Sequence, residues 1–407
     1  MLCSGYCQDQ YCYTTATYKE VPIIVEYTPE TPSHCLKTTS LPTSNFDNIH
    51  EMVKKNDSLK QLLGSQGHVV SEDKTCAYTH ESTYEPSNRG HFGPNSPCFL
   101  NQDRGGFFKK SDGTNGACIC DGVGGMGNFG VFFAQMVADY VIDQFLNHQF
   151  EFTTDENAHQ QNAVRLFQKC RSTLNGQFSS YKELPFNGHN HGATTVAVAT
   201  CIPIQSGLEK RRFLLQTAAI GDSAIIHLSI DAQKASLVTP IPRLGSTSAH
   251  TDSLSMSWVV CEGEVSTRTK ELAENDIVVL CTDGFHDNVR GGNVSSIVEL
   301  VAFSTFFDQP LEQLVKIPRP WEAEYSVLPT VEDLQNFMNT EDNKPSVTPS
   351  PSQVTERLSR YIKVVTWYVT NLYEDAVNKK PVQFPPSNRH DSKTDDCLII
   401  AFKPSAI

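Results

Sequence analysis

Apolar and polar residues fall in blocks along this chain, and three of the apolar blocks share one shape. The run 115–120 stops at Asp121-Gly122, the run 277–281 stops at Thr282-Asp283-Gly284, and Asp395-Asp396 opens the run 397–402. A short unbroken apolar run bounded by turn residues marks a strand buried on both faces. Each of these three strands carries a carboxylate at one end. The glycines beside Asp121 and Asp283 let the backbone turn sharply and let a small ligand come close. Elsewhere apolar residues recur at helical spacing. This predicts helices over 131–147 (Phe133, Val137, Val141, Phe145), over 160–174 (Val164, Phe167, Leu174) and over 354–376 (Leu358, Ile362, Val365, Val369, Leu372). The runs 193–202, 213–220 and 224–230 are β-rich and punctuated by Gly-containing turns, which reads as an antiparallel meander. Helices flanking a block of strands give an α+β layered sandwich.

The pattern is weaker at the start. Residues 1–85 are rich in Thr, Ser, Tyr and Pro, with a possible strand at 23–27 and a short amphipathic helix at 51–63. They read as an N-terminal extension, partly disordered or wrapping the domain. Ordered structure is expected from Pro86, with short strands at 97–101 and 106–109 around Asn101-Gln102-Asp103. Residues 304–353, rich in Pro, Glu, Asp and Ser, read as an insertion or lid within a domain over 86–407. No internal repeat is visible.

Composition narrows the chemistry. A net charge of −13 over 407 residues argues against an extended nucleic-acid surface. No apolar run approaches the roughly 20 residues that span a bilayer. The 13 cysteines are odd in number and several lie in the buried runs, so they read as reduced thiols of a cytosol-like compartment. The first arginine is Arg89, and residues 1–50 hold two lysines against five acids, so neither an Arg-rich transit peptide nor a secretory signal is visible.

An aspartate at a strand end is ordinarily a turn former. Three of them, Asp121, Asp283 and Asp395, at the ends of three apolar strands suit a hard cation with oxygen ligands. A competing motif, Gly125-Met126-Gly127-Asn128-Phe129-Gly130 with Glu151 beyond it, matches the dinucleotide-binding fingerprint. It leaves Asp283, Asp395 and the antiparallel middle unexplained. His189 and His191 could bind a metal or donate a proton, or be solvated loop histidines.

Five motifs then follow in order: Asp121-Gly122-Val123-Gly124-Gly125, Gly192-Ala193-Thr194-Thr195, Gly221-Asp222-Ser223-Ala224, Thr282-Asp283-Gly284-Phe285-His286-Asp287-Asn288, and Asp395-Asp396 before a strand. Together they resemble the type 2C, metal-dependent serine/threonine protein phosphatase family over about 86–407. The spelling of the first and last is similar to the branch that includes a mitochondrial phosphatase. The resemblance implies a four-layer α/β/β/α sandwich of two antiparallel sheets flanked by helices, acting on a phosphorylated protein with two Mg²⁺ or Mn²⁺ ions. It implies that Asp121 bridges both ions, that the Gly122 carbonyl binds the second, and that Asp283 and Asp395 bind the first. Asp222 and Asp287 match a weaker third site, and Asp396 reads as a strand-start acid. Asp121 and Asp283 are the expected catalytic pair.

Two departures follow. The acidic pair for the second ion falls at Gln102-Asp103, 18 residues before Asp121, so one acid is an amide. The family's phosphate-binding arginine has no counterpart, Arg89 and Arg104 being displaced. A catalytically weak or inactive pseudophosphatase, acting as a binding module, is therefore the alternative. The expected compartment is cytoplasmic, with mitochondrial as the alternative, and a monomer is favoured.

Overall fold

The computed structural model describes residues 24–27, 67–71, 73–81, 102–123, 128–147, 150, 153–179, 193–204, 211–241, 254–255, 264–319, 321, 328–338, 348–377 and 396–404. In chain order come β1 (Ile24–Tyr27), β2 (Gly67–Val70), β3 (Cys76–Glu81), β4 (Arg104–Lys109) and β5 (Asn115–Cys120), then helices α1 (Asn128–Leu146) and α2 (Glu156–Ser179). The middle holds β6 (Ala193–Thr194), β7 (Val196–Ile204), β8 (Arg212–Ile220), β9 (Ala224–Ser229), β10 (Lys234–Leu237), β11 (Leu254–Ser255), β12 (Ser266–Ala273) and β13 (Ile277–Cys281). Helices α3 (Asp283–His286), α4 (Val294–Ala302), α5 (Leu311–Leu314), α6 (Val331–Met338) and α7 (Pro351–Val377) follow, and β14 (Cys397–Phe402) closes the fold.

Two six-stranded sheets, ordered β1-β4-β5-β7-β8-β12 and β10-β9-β13-β14-β3-β2, face each other. The period-two alternation of strand side chains sorts the core into three layers. Ala117 and Ile119 of β5 meet Val278 and Leu280 of β13 and Leu398 and Ile400 of β14 between the sheets. Cys118 and Cys120 turn outward to Phe133, Val137, Val141 and Phe145 of α1 and to Phe167 and Leu174 of α2. On the other side Ile277, Val279, Cys281, Cys397 and Ile399 pack under α4, α6 and α7, including Leu358, Ile362 and Val365. Strands covered on both faces must be apolar at every position, which is why these runs carry no alternation. The side chains of Val369 and Leu372 lie outside the described residues.

The structure departs from the sequence pattern in four places. Strands β2 and β3 belong to the second sheet, β3 pairing with β14 from Cys397↔Glu81 to Phe402↔Cys76. Ordered structure therefore begins well before Pro86, and Tyr78 is a core residue. Polar Thr79 and His80 directly follow Ala77 and Tyr78, which breaks the apolar pattern and disguises the strand. Strand β1 runs parallel to β4, Ile24 opposite Gly105, whereas the other pairings of the two sheets are antiparallel. A parallel neighbour needs a long crossover, which the stretch between the two strands supplies.

The segment expected as a lid is built into the helical layer. Phe306, Phe307, Leu314, Trp321, Leu334 and Phe337 are buried in one cluster with α7. Arg357 of α7 forks onto Asp308 with two bonds of 2.7 Å, which locks this segment to the helix.

Helix starts also lie earlier than apolar spacing indicated, because polar caps set them. Asp155 Oδ1 accepts the Ala158 amide at 2.7 Å before α2. Ser350 and Gln353 form a reciprocal capping box before α7, with Pro351 at its first position. The expected strand at 97–101 and the helix at 51–63 lie outside the described residues.

Candidate metal centre

Asp121 leaves β5 held by its own backbone. Its carbonyl accepts the Thr195 amide at 2.8 Å and the Thr194 hydroxyl at 2.7 Å, and its amide donates to Thr195 Oγ1 at 3.2 Å. Gly122 bridges to Thr194, and its amide donates to the Gln102 carbonyl at 3.3 Å. These bonds are made by the main chain and by threonine hydroxyls, and the Asp121 residue is half-buried. Thr195 Oγ1 also lies 2.8 Å from Ser223 Oγ, beside Asp222. Gly221, at φ 96°, makes the turn that carries Asp222 inward, a conformation that favours glycine. Asp222 is buried.

Asp283 opens α3 immediately after β13 and is 5% exposed. Thr282, extended at ψ 175°, joins three strands. Its hydroxyl donates to Asp103 Oδ2 at 2.7 Å and accepts the Leu398 amide at 2.9 Å, while its own amide donates to the Leu398 carbonyl at 3.1 Å. Asp396 Oδ2 accepts the Gln102 amide at 2.7 Å. The starts of β4 and β14 and the end of β13 are thereby fixed to one another. Gly284 allows it: a Cβ there would stand 1.9 Å from the Asp396 carbonyl oxygen.

Asp287 caps α3, and its Oδ1 lies 3.2 Å from Nδ1 of His286, a fully buried ring. Burial works to lower the His286 pKa, but the Asp287 bond and charge, with Asp283 and Asp222, raise it above the ordinary histidine value. Apolar periodicity gave no sign of this imidazole, which stands among three of the expected acids. Nor did it single out Thr282, whose only signal is a hydroxyl residue directly before an Asp-Gly pair.

Arg104 sits at the head of β4 with no exposure to solvent, and its Nη1 donates to the Asp103 carbonyl at 2.5 Å. The guanidinium is enclosed by protein rather than open to solvent. Cysteine chemistry is disfavoured, since burial pushes the Cys120 thiol well above its usual pKa.

The fold thus gathers Asp103, Asp121, Asp222, Asp283 and Asp287 at the ends of strands in both sheets. Asp395, Arg89, His189, His191 and Glu151 lie outside the described residues. Among the described residues no three His, Cys, Asp or Glu side chains form a ready cage for an ion. The donor set is nonetheless all carboxylate oxygen, the chemistry that suits Mg²⁺ or Mn²⁺ rather than a thiophilic metal. The dinucleotide reading is excluded by topology. β5 pairs antiparallel with both β4 and β7, whereas that fingerprint requires a parallel strand-helix-strand unit.

The protein phosphatase 2C family model matches residues 90–320. No curated protein matches the chain significantly. Among solved structures, the chain is similar to the photosystem II phosphatase PBCP at 13% identity and a TM-score of 0.41, covering 84% of this chain and 100% of that one. The catalytic domain of the serine/threonine phosphatase PstP, in complex with two manganese ions, is 14% identical, with a TM-score of 0.39 and coverage of 80% and 96%. The serine/threonine phosphatase Stp1 of Staphylococcus aureus is also 14% identical, with a TM-score of 0.39 and coverage of 84% and 98%.

Proposed function

Because the chain belongs to the protein phosphatase 2C family, we propose that it hydrolyses phosphoserine and phosphothreonine in proteins with the acids gathered at its sheet ends. The observation that carries this reading is the Thr282 junction. One hydroxyl ties Asp103 to the turn that presents Asp283, and Gln102 links the same corner to both Asp396 and Gly122. Carboxylates from the two sheets are thus held toward a common end.

In this reading Asp121, Gly122, Asp283 and Asp395 hold two Mg²⁺ or Mn²⁺ ions, with Asp103 toward the second and Asp222 and Asp287 toward a weaker third. When bound, such ions lower the pKa of water and neutralise charge on a phosphoryl group. The protein's own part is positioning. Asp121 and Asp283 are set by rigid strands, and the threonine and glycine contacts around them fix the backbone before substrate arrives. Hydrolysis then transfers the phosphoryl group to water and returns the serine or threonine hydroxyl, with no covalent enzyme intermediate. The Asp-Gly-Val-Gly-Gly and C-terminal Asp-Asp spellings favour the branch that carries those motifs.

The acidic net charge favours a protein rather than a nucleic acid as partner, and the protein is taken to act as a monomer. No helix among the described residues is long and apolar enough to cross a membrane. The described cysteines are buried and form no disulfide, which favours a reducing setting; we take it to be the cytoplasm, with mitochondria as the alternative.

The enclosure of Arg104 and the amide at Gln102 favour a second reading, a pseudophosphatase that binds phosphoprotein without turning it over. Release of phosphate from phosphoserine and phosphotyrosine peptides, with Mn²⁺ and after chelation, separates the two. The phosphatase reading requires Mn²⁺-dependent release from the phosphoserine peptide and its loss in Asp121→Asn. Peptide binding that survives this substitution, with no release by the wild type, would favour the second.

A further inference from the structure

Arg104 has no exposed atoms, and burying a guanidinium is unfavourable unless charge and hydrogen bonds offset it. Its place in the fold shows what surrounds it. Arg104 stands opposite Cys120 in the β4–β5 register, one residue from Asp121. By strand alternation it shares the outward face of β4 with Phe108, which packs under α1. Asp139 of α1 is buried and accepts the Gln135 amide at 2.9 Å. Burial draws the Arg104 pKa down to about 10, while the charges of Asp396, Asp103 and Asp139 work to raise it. Asp396, Asp103 and Asp139 are thus the acids whose charge acts on the guanidinium.

We propose that Arg104 is a positioning residue for the cation centre, fixing the head of β4, and Asp103 with it, from beneath the helical layer. Asp103 is held from two sides: Thr282 takes one carboxylate oxygen and Arg104 binds its carbonyl. Gln102, next in the chain, is tied to Asp396. The neighbouring position lacks a second acid, so the geometry of this single carboxylate decides how well a cation is held there. An internal arginine keeps Asp103, Asp139 and Asp396 from repelling one another before any ion arrives.

The inference rests on the phosphatase reading. Its test is a calorimetric Mn²⁺ titration of the full chain, comparing wild type with Arg104→Lys and with the double variant Arg104→Met, Asp139→Asn. The first keeps the charge and loses the planar fork. The second removes a buried cation together with a buried acid, which keeps the interior balanced. Circular dichroism establishes that each variant is folded. The expected result is folded protein in which the second Mn²⁺ site, the one Asp103 serves, loses at least tenfold in affinity in both variants, while the first site changes little. A purely structural role would lower thermal stability and leave both affinities alone. Wild-type affinity and ion count in both folded variants would overturn the proposal. Absence of Mn²⁺ binding by the wild type would instead strike the phosphatase reading itself.

Discussion

The Thr282 hydroxyl donates to Asp103 Oδ2 at 2.7 Å across 179 residues of sequence, joining the first sheet to the second at the end where the acids collect. The same oxygen accepts the Leu398 amide. Thr282→Val keeps the shape and removes both bonds. It leaves a buried carboxylate oxygen and a buried amide poorly satisfied, which costs about 1–3 kcal/mol. In urea denaturation the variant is expected to unfold earlier by that amount, and its Mn²⁺-dependent turnover to fall at least tenfold. Thr282→Ser retains the hydroxyl and should restore most of both. Equal turnover in the valine variant would show that Asp103 needs no such anchor.

Gly284 is required by space rather than by backbone angle. A methyl group there meets the Asp396 carbonyl at 1.9 Å, and a backbone oxygen cannot swing aside as a flexible side chain can. Gly284→Ala should push β14 away from α3 and cost about 3 kcal/mol, the upper part of the range for overpacking. The check is the denaturant midpoint together with Mn²⁺ affinity, both of which should drop. A midpoint within 0.5 kcal/mol of wild type, the usual scatter of surface substitutions, would mean that the strand end is loose.

A pH effect on stability is expected from Asp143 on α1, remote from the acid cluster in sequence. Burial lifts its pKa to about 6, against the lowering effect of Asn147 and Gln144. The folded value lies above that of the unfolded chain. Its contribution is therefore full below about pH 4 and is lost as pH rises through 6. Partial exposure to solvent reduces the loss to roughly 1–2 kcal/mol. Asp143→Asn should match wild type near pH 4 and be more stable at pH 8, as measured by denaturant midpoints of metal-free protein. A difference that is constant with pH would contradict this.

Much of this architecture was legible in the sequence for a physical reason. The runs 117–120, 277–281 and 397–402 are apolar at every position because both faces are buried, and helices α1, α2 and α7 show the spacing of one covered face. What escaped notice was polar or distant in sequence. The strand Cys76–Glu81 is broken by Thr79 and His80, and its partner β14 is more than 300 residues away, so no local pattern announces it. Residues 304–338 look like a polar insertion because Phe306, Phe307, Leu314, Trp321 and Phe337 are scattered among charges, yet they converge on one cluster. Of the expected site residues, Asp121, Asp283 and Asp395 are suggested by strand-end spacing, whereas Asp222 and Asp287 come only from the family resemblance. Arg104 and His286 could not be given roles, because a charged or ring residue shows its burial only when the strands behind it are assembled.

The most direct test of the account is phosphate release from a small aryl phosphate, followed against Mn²⁺ concentration for the full chain and for Asp283→Asn. The account predicts no release without the ion, saturable release with it, and a loss on the order of 10²-fold or more in the variant, comparable to removing one preorganised group from an active site. Release that ignores Mn²⁺, or a folded Asp283→Asn protein that turns over like wild type, would contradict the claim that these acids form the centre.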